Sequence, residues 1–433
     1  MNKVQCKREL IAAVSVGNER RLRYLMESGD SFDNTTCDMF GNKLLHLAIR
    51  SKHIGTVGVL LKAGCDKDAA DAFGDTPLHE AVKTEDDDLV RMLLGIGCDM
   101  NKVNMHDSTP LHVAACIGSV RIVQTLLAAG CKKDNTLLYL AASNGHAGVV
   151  KQLLRAGCDK DYCYGHLQNT PIFVASLGGH TEVVRELLAV GCNSNKANNV
   201  RNTPLLVAAE NGYNEIVRQL LASSSNPNTT NNDGETPLHR ALHYGHFHVA
   251  QQLIDAGAFL DSRLLGSSVL RHGRVCQNMD VFTAPSESVR LLLQNGCTMD
   301  IQNSQNPLYL ASQEGFEGIV QQLLTAGFDV NAPSLYNITP IYIASYEGHS
   351  EVVKMLLEAC ADIYITDHNS QTPLDMAIYY GHMNVITSIE QHHFKSIFLL
   401  FCMTYLHKEK NVLESFSSLV QLDGVLNMIF RGL

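Results

Sequence analysis

No run of five or more lysines and arginines occurs anywhere in the chain, and 34 basic residues face 44 acidic ones for a formal charge of −10 at neutral pH. Recognition of a phosphate backbone depends on clustered cations, so this balance argues against a nucleic-acid partner. There is no phosphate-cradling glycine loop, no nucleophile elbow, no kinase signature and no spaced cysteine pair. Their absence removes the recurrent marks of nucleotide chemistry, acyl transfer and structural zinc. The apolar stretch from Leu10 to Val16 stops at Gly17-Asn18-Glu19-Arg20 without a small-residue cleavage site, unlike a secretory leader. The apolar segment after Phe394 is too short for a bilayer span, so no membrane span is expected. Neither a cofactor nor a metal is expected.

What the chain does contain is a repeat. Eight of its eleven prolines directly follow Thr76, Thr109, Thr170, Thr203, Thr236, Asn306, Thr339 and Thr372, and six steps between successive unit starts are 33 residues. Numbered from that threonine-like position, twelve units begin at Arg8, Lys43, Thr76, Thr109, Thr136, Thr170, Thr203, Thr236, Val275, Asn306, Thr339 and Thr372. An apolar pair seventeen and eighteen residues on, such as Leu60-Leu61 and Leu356-Leu357, confirms the register in all but the last unit, which has Ile389-Glu390.

Within a unit the residues spell helix, turn, helix, loop. Threonine accepts an orphan amide at an N-cap, and proline at the first helical position forfeits no helical bond, so Thr-Pro opens a short helix. Gly-His closes it, as at Gly145-His146, Gly245-His246 and Gly348-His349, because glycine accepts the positive φ found at a helix C-terminus. The second helix carries an apolar stripe, Val183, Val184, Leu187 and Leu188 in one copy, that one unit cannot bury alone. Stacking buries it, so an all-α solenoid is expected, each unit touching only its neighbours. The fullest copies, Thr76-Pro77-Leu78-His79-Glu80-Ala81 and Thr236-Pro237-Leu238-His239-Arg240-Ala241, resemble the signature of the ankyrin repeat. That resemblance implies helix-turn-helix units with short β-hairpin loops in a curved, elongated stack. It also implies a monomeric, non-catalytic scaffold or adaptor whose partner is another protein.

Six of the thirteen cysteines (Cys65, Cys98, Cys131, Cys158, Cys192, Cys297) share one position, just after the closing glycine of the unit. Stacked layers lie roughly 10 Å apart, whereas a disulfide needs Cα atoms within about 7 Å, so neighbouring layers cannot bridge. These thiols read as small buried hydrophobes in a reducing, intracellular compartment, cytoplasmic with the nucleus as the alternative. His46, His79, His112 and His239 stand at the signature position, where the resemblance implies backbone hydrogen bonds between hairpins and helices. His239 and His243 have the helical spacing of a zinc-protease pair but lack the glutamate after the first histidine. Tyr309 and Tyr342 replace the signature histidine and are expected to be scaffold. Asn331 resembles the asparagine that oxygen-sensing hydroxylases modify in ankyrin loops; a loop asparagine satisfying backbone groups is the plainer reading.

The family's recognition surface comprises hairpin tips and the exposed ends of first helices, which line one concave face. Counting back one, three and four residues from the threonine-like position marks tips; counting on seven and eight marks helix ends. The N-terminal copies place Phe73, Asp75, Lys83 and Met105 there, and the polar middle includes Tyr244. The C-terminal copies place Tyr336, Tyr346, Glu347, Tyr379 and Tyr380. Tyrosine gives large contact area at low entropic cost, so Tyr336, Tyr346, Tyr379 and Tyr380 form the expected anchor patch, with Phe73 and Tyr244 as further partner-binding candidates.

Two irregular steps matter most. From Thr109 to Thr136 the step is 27, leaving 131–136 short, and from Thr236 to Val275 it is 39, in a unit that has lost Thr-Pro-Leu-His and puts Asp280 where alanine belongs. The expected organisation is a first stack over 1–261, a degenerate repeat over 262–285, a second stack over 286–392, and an apolar helical cap or docking segment over 393–433. The last of these resembles, imperfectly, the C-terminal box of ankyrin proteins that act as substrate-recognition adaptors of ubiquitin ligases. Ser396-Ile397 is followed by Phe401 where that box has cysteine, with Cys402 one place late.

Overall fold

The computed structural model describes residues 3–27, 43–260, 283–295 and 306–408, which belong to two compact units, Met1–Ala258 and Phe259–Leu433. Among the described residues no strand forms, and Tyr164 and Asn169 make an isolated antiparallel bridge. Among the described residues the first unit contains eight helix pairs: Lys3–Val16 with Glu19–Glu27, Leu44–Arg50 with Ile54–Lys62, Pro77–Lys83 with Asp87–Gly95, Pro110–Ile117 with Val120–Ala128, Thr136–Ser143 with Ala147–Arg155, Pro171–Leu177 with Thr181–Ala189, Pro204–Glu210 with Asn214–Ala222, and Pro237–His243 with Phe247–Asp255. The second contains Thr283–Gln294, then Pro307–Glu314 with Glu317–Thr325, Pro340–Glu347 with Ser350–Glu358, and Pro373–Tyr380 with Met383–Lys408. Val275 and Asp280 of the degenerate unit, Cys297, and residues 409–433 of the C-terminal segment lie outside the described residues.

Where proline follows, the threonine caps form as the sequence predicts, whereas Thr136, with leucine after it, lies inside its helix behind Asn135. Thr76 Oγ1 accepts from the His79 amide, while the Thr76 amide donates back to His79 Nδ1 at 3.1 Å, a reciprocal capping box in which histidine takes the place of glutamate. Because Nδ1 is the acceptor, the ring proton sits on Nε2, which donates to the Ser108 carbonyl of the next unit at 2.9 Å. His46 reaches the Asp75 carbonyl in the same way at 2.8 Å. One residue thus closes its own helix and ties it to the following turn.

The first pair departs from the expected register. Its opening helix starts at Lys3 and runs 14 residues, so Arg8 lies inside the helix instead of capping it. No Thr-Pro stands there to impose a start, and Lys7-Arg8-Glu9-Leu10 are all good helix formers.

Apolar burial follows the 33-residue phase. The signature alanines Ala48, Ala81, Ala114, Ala141, Ala175, Ala208, Ala241, Ala311, Ala344 and Ala377 have no exposed surface, which leaves room for the first helices of successive units to pack side by side. In the second helices the first member of the apolar pair is fully buried (Leu60, Leu93, Leu126, Leu153) and the second half-buried, except that Leu357 is buried together with Leu356. Ile389 keeps that role in the last unit, at 1% exposure, so Glu390 interrupts only the outer position. Each buried leucine contributes roughly 1.5–3 kcal/mol, a sum no isolated helix pair reaches.

The Gly-His step does more than stop a helix. Gly118 has φ +89°, and a Cβ there would lie 2.4 Å from Nδ1 of His146, the histidine of the next unit's Gly-His step. That ring lies over the glycine and its Nε2 bonds the Cys116 carbonyl at 2.8 Å, satisfying a carbonyl left open at the helix end. His180, His246, His349 and His382 repeat the contact on Ser143, Glu210, Gln313 and Tyr346.

The short step at 131–136 leaves no room for a projecting turn. There His112 Nε2 meets side chains instead of a backbone carbonyl, Thr136 Oγ1 at 2.9 Å and Asp134 Oδ2 at 3.2 Å. At the other end of the chain, Met383–Lys408 is one helix of 26 residues that passes residue 393 without a break.

Candidate protein-interaction surface

The loops that position the candidate residues are braced from below. Asp71 Oδ1 accepts the amides of Phe73 and Asp75 at 2.8 and 2.9 Å, and Asn104, Asn198, Asn231 and Asp367 brace their own turns identically. A second ladder joins neighbouring turns: Asp68, Asn101, Asn135, Asp161, Asn195 and Asn331 each accept, through a side-chain oxygen, the amide of a residue one unit on. Asn331 is therefore a framework asparagine, its Oδ1 taking the Asp362 amide at 2.8 Å. Sequence reasoning missed both ladders, although Asx recurring five residues before the threonine was a readable signal.

On this frame the candidates separate by position. Phe73 is 59% exposed at a turn tip, and its carbonyl accepts the amide of Met105 on the next tip, itself 72% exposed. At Asp75 the position just before the cap does not point outward as expected. Asp75 is 2% exposed, receiving Asn104 Nδ2 at 2.8 Å and Lys83 Nζ, because the chain turns inward there to enter the helix. Tyr244, at the end of Pro237–His243, is partly exposed with its ring 4.6 Å from that of His243.

In the second unit Tyr346, Tyr379 and Tyr380 come together. Tyr346 ends one first helix, while Tyr379 and Tyr380 end the next. The Tyr346 and Tyr380 ring centroids are 4.6 Å apart, those of Tyr379 and Tyr380 4.9 Å, both edge-on. Tyr380 Oη donates to Tyr346 Oη at 3.3 Å; that bond first, then partial loss of water and the neighbouring tyrosines, push the Tyr380 phenol above its ordinary range. Tyr379 is 78% exposed and Ile378 and Met383 beside it are also exposed. Tyr336 stands on a turn instead, its ring 5.4 Å from His368. It holds φ +63° and ψ 24°, a left-handed conformation costly for an aromatic residue. Ser334 occupies the Asx bracing position of that turn.

Tyr342, by contrast, is buried and donates its hydroxyl to Asp367 Oδ2 at 3.0 Å, doing for its unit what His79 does for an earlier one. Burial, then the Asp367 carboxylate, pushes its phenol upward. The repeat-position thiols behave as small hydrophobes: burial raises Cys65 and Cys192 to about 12 and Cys98 and Cys131 to about 11, and none is bonded to another cysteine. His46 and His79 are held below the ordinary imidazole range, first by burial, and at His79 the acceptor role of Nδ1 requires the neutral ring.

Among the described residues no three or more histidine, cysteine, aspartate or glutamate side chains converge as metal ligands, and no helix is long and apolar enough to cross a membrane. His239 is turned to Thr236 through Nδ1, and His243 lies against Tyr244.

A family model described as ankyrin repeats, three copies, matches residues 10–104, 78–162, 138–231, 172–264, 281–367 and 319–393. Similar solved structures include the human ASB11 ankyrin repeat domain, 25% identical with a TM-score of 0.46, and the ankyrin repeat domain of Bcl-3, described as a unique member of the IkappaB protein family, 24% identical with a TM-score of 0.43. Each match covers 50% of this chain and 98% of the other. Comparison with curated proteins gives no match. With the family model covering most of its length and the reciprocal caps, paired helices and inter-unit ladders following the same phase, this chain belongs to the ankyrin-repeat family.

Proposed function

We propose that the chain is a non-catalytic scaffold that binds a protein partner through the surface of turn tips and first-helix ends, with Tyr346, Tyr379 and Tyr380 as its principal anchor. Ankyrin repeats are protein-interaction modules, and the observation that carries the finer reading is the exposed trio of edge-on tyrosines on two adjacent first helices. Large aromatic surface left in water is the usual raw material of a binding hot spot. Tyr336, Phe73 and Tyr244 are secondary contacts within their own units. Quantitative affinity capture from cells with full-length protein tests this reading. Tyr346→Ala with Tyr380→Ala should weaken partner recovery by about 30-fold, near 2 kcal/mol, with the melting temperature almost unchanged. Undiminished recovery of every partner would refute it.

A second reading places a ubiquitin-ligase adaptor function in 393–433, and is supported by Phe394 and Ile397, 72% and 54% exposed on the extended last helix. Comparing full length with residues 1–392 distinguishes the two: ligase components should vanish with the truncation, whereas partners of the tyrosine surface should remain.

A further inference from the structure

The tyrosine trio sits in an unusually one-sided electrostatic setting. Between Asn306 and Phe394 the chain has ten aspartates and glutamates and a single lysine, Lys354. That lysine lies on a second helix, Ser350–Glu358, where it pairs with Glu351 at 2.9 Å. The same positions in an earlier unit are balanced. Seven residues after Thr76 stands Lys83, whose ammonium neutralises Asp75; seven residues after Thr339 and Thr372 stand Tyr346 and Tyr379. The C-terminal copies thus place aromatic rings where the earlier unit has a cation. Asp367 is occupied by Tyr342 and by the Asn369 and Gln371 amides, and Asp375 by the Thr372 cap. Glu347 follows Tyr346 directly at the end of the same first helix, Pro340–Glu347, and is exposed there.

Resting on the docking role proposed above, we propose that the surface of Tyr346, Tyr379 and Tyr380 recognises a basic segment of its protein partner, seating a lysine or arginine side chain against the tyrosine rings beside Glu347. Aromatic ring faces carry negative potential and attract ammonium and guanidinium groups, most strongly where water is partly displaced. A carboxylate at the rim adds attraction and orients the cation, and the acidic field of the segment steers a basic chain toward it. A purely apolar partner would gain ring contact but leave Glu347 without a counter-charge; an acidic one would be repelled.

A random peptide library displayed on phage, panned on the full chain and depleted on the Tyr346→Ala, Tyr380→Ala variant, tests this without knowledge of the natural partner. Peptides surviving depletion should be enriched in lysine or arginine at one or more fixed positions. The best of them, synthesised with a fluorophore, should lose about tenfold in affinity when that residue becomes glutamine, and about as much on the double alanine variant. Tyr346→Phe with Tyr380→Phe should retain binding, because the ring face and not the hydroxyl carries the attraction. Glu347→Gln should weaken binding several-fold and flatten its salt dependence. Circular dichroism melts confirm that each variant remains folded. Cluster-dependent peptides without basic enrichment would overturn the charge assignment while leaving the docking role standing. Failure to select any cluster-dependent peptide would overturn the basic-segment proposal, and the docking role would then be judged by the cellular capture experiment.

Discussion

Gly118 and Gly130 form a natural matched pair. They belong to the same unit, with φ values of +89° and +88°, yet a Cβ at Gly118 would strike His146 Nδ1 at 2.4 Å whereas one at Gly130 would meet nothing within 4 Å. Alanine at either position carries the left-handed penalty, roughly 1–2 kcal/mol. At Gly118 the methyl group must also displace the imidazole and break its bond to the Cys116 carbonyl, a further ~0.5–1.5 kcal/mol before any loss of packing. Gly130→Ala should therefore destabilise by ~1–2 kcal/mol and Gly118→Ala by ~2–4 kcal/mol. In a His146→Ala background the obstacle is gone, and Gly118→Ala should fall back to the cost seen at Gly130, giving a coupling of about 1–2 kcal/mol. Repeat arrays open segment by segment, so the measurement is hydrogen exchange of peptides spanning 110–155, supported by urea denaturation. Equal costs at the two glycines, or no relief from His146→Ala, would show that the ring does not hold these units together.

The buried histidines predict an acid-sensitive scaffold. His46 and His79 are lowered from 6.5 by burial, so the unfolded chain protonates first and stability falls as pH drops through 6.5 toward the folded values; it is fully present above that range. The melting temperature should decline between pH 7.5 and 5.5, more shallowly in His79→Gln; a parallel decline would reject the assignment. Asp75, whose carboxyl is lowered by Lys83 and Asn104 against the opposing effect of burial, loses its contribution only below its ordinary 3.8, outside that window. Tyr342→Phe should cost about 1 kcal/mol through the lost bond to Asp367, and Tyr342→His should recover part of it, measured by urea denaturation. Alkylation of Cys65, Cys98, Cys131, Cys158 and Cys192 at pH 8 should lag that of exposed Cys116 and Cys360, read by peptide mass mapping. Labelling at equal rates would mean the layers open far more readily than their packing implies.

Much of the scaffold was legible because it is periodic. Thr76, Thr109 and Thr170 cap helices and the prolines after them sit at the first helical turn, since capping is a local matter of a few neighbouring dihedrals. Where periodicity fails, legibility fails with it: Arg8 lay inside a helix because nothing local stops one there. Candidate binding positions were half legible. Phe73, Tyr336 and Tyr379 point outward as counted, but Asp75, one position from the cap, turns inward under a lysine and an asparagine. Facing direction at a turn depends on backbone dihedrals that a residue count does not contain.

By itself the sequence determined the unit, its length, its caps and the alanines and leucines that must be covered, because each follows from local propensity and from the 33-residue phase of apolar residues. Only the tertiary structure decided what joins one unit to the next. The histidine over the preceding glycine, the Asx ladder between turns and the meeting of Tyr346 with Tyr379 and Tyr380 all link residues about 30 positions apart, brought within hydrogen-bond or ring-contact distance only once the helices have packed.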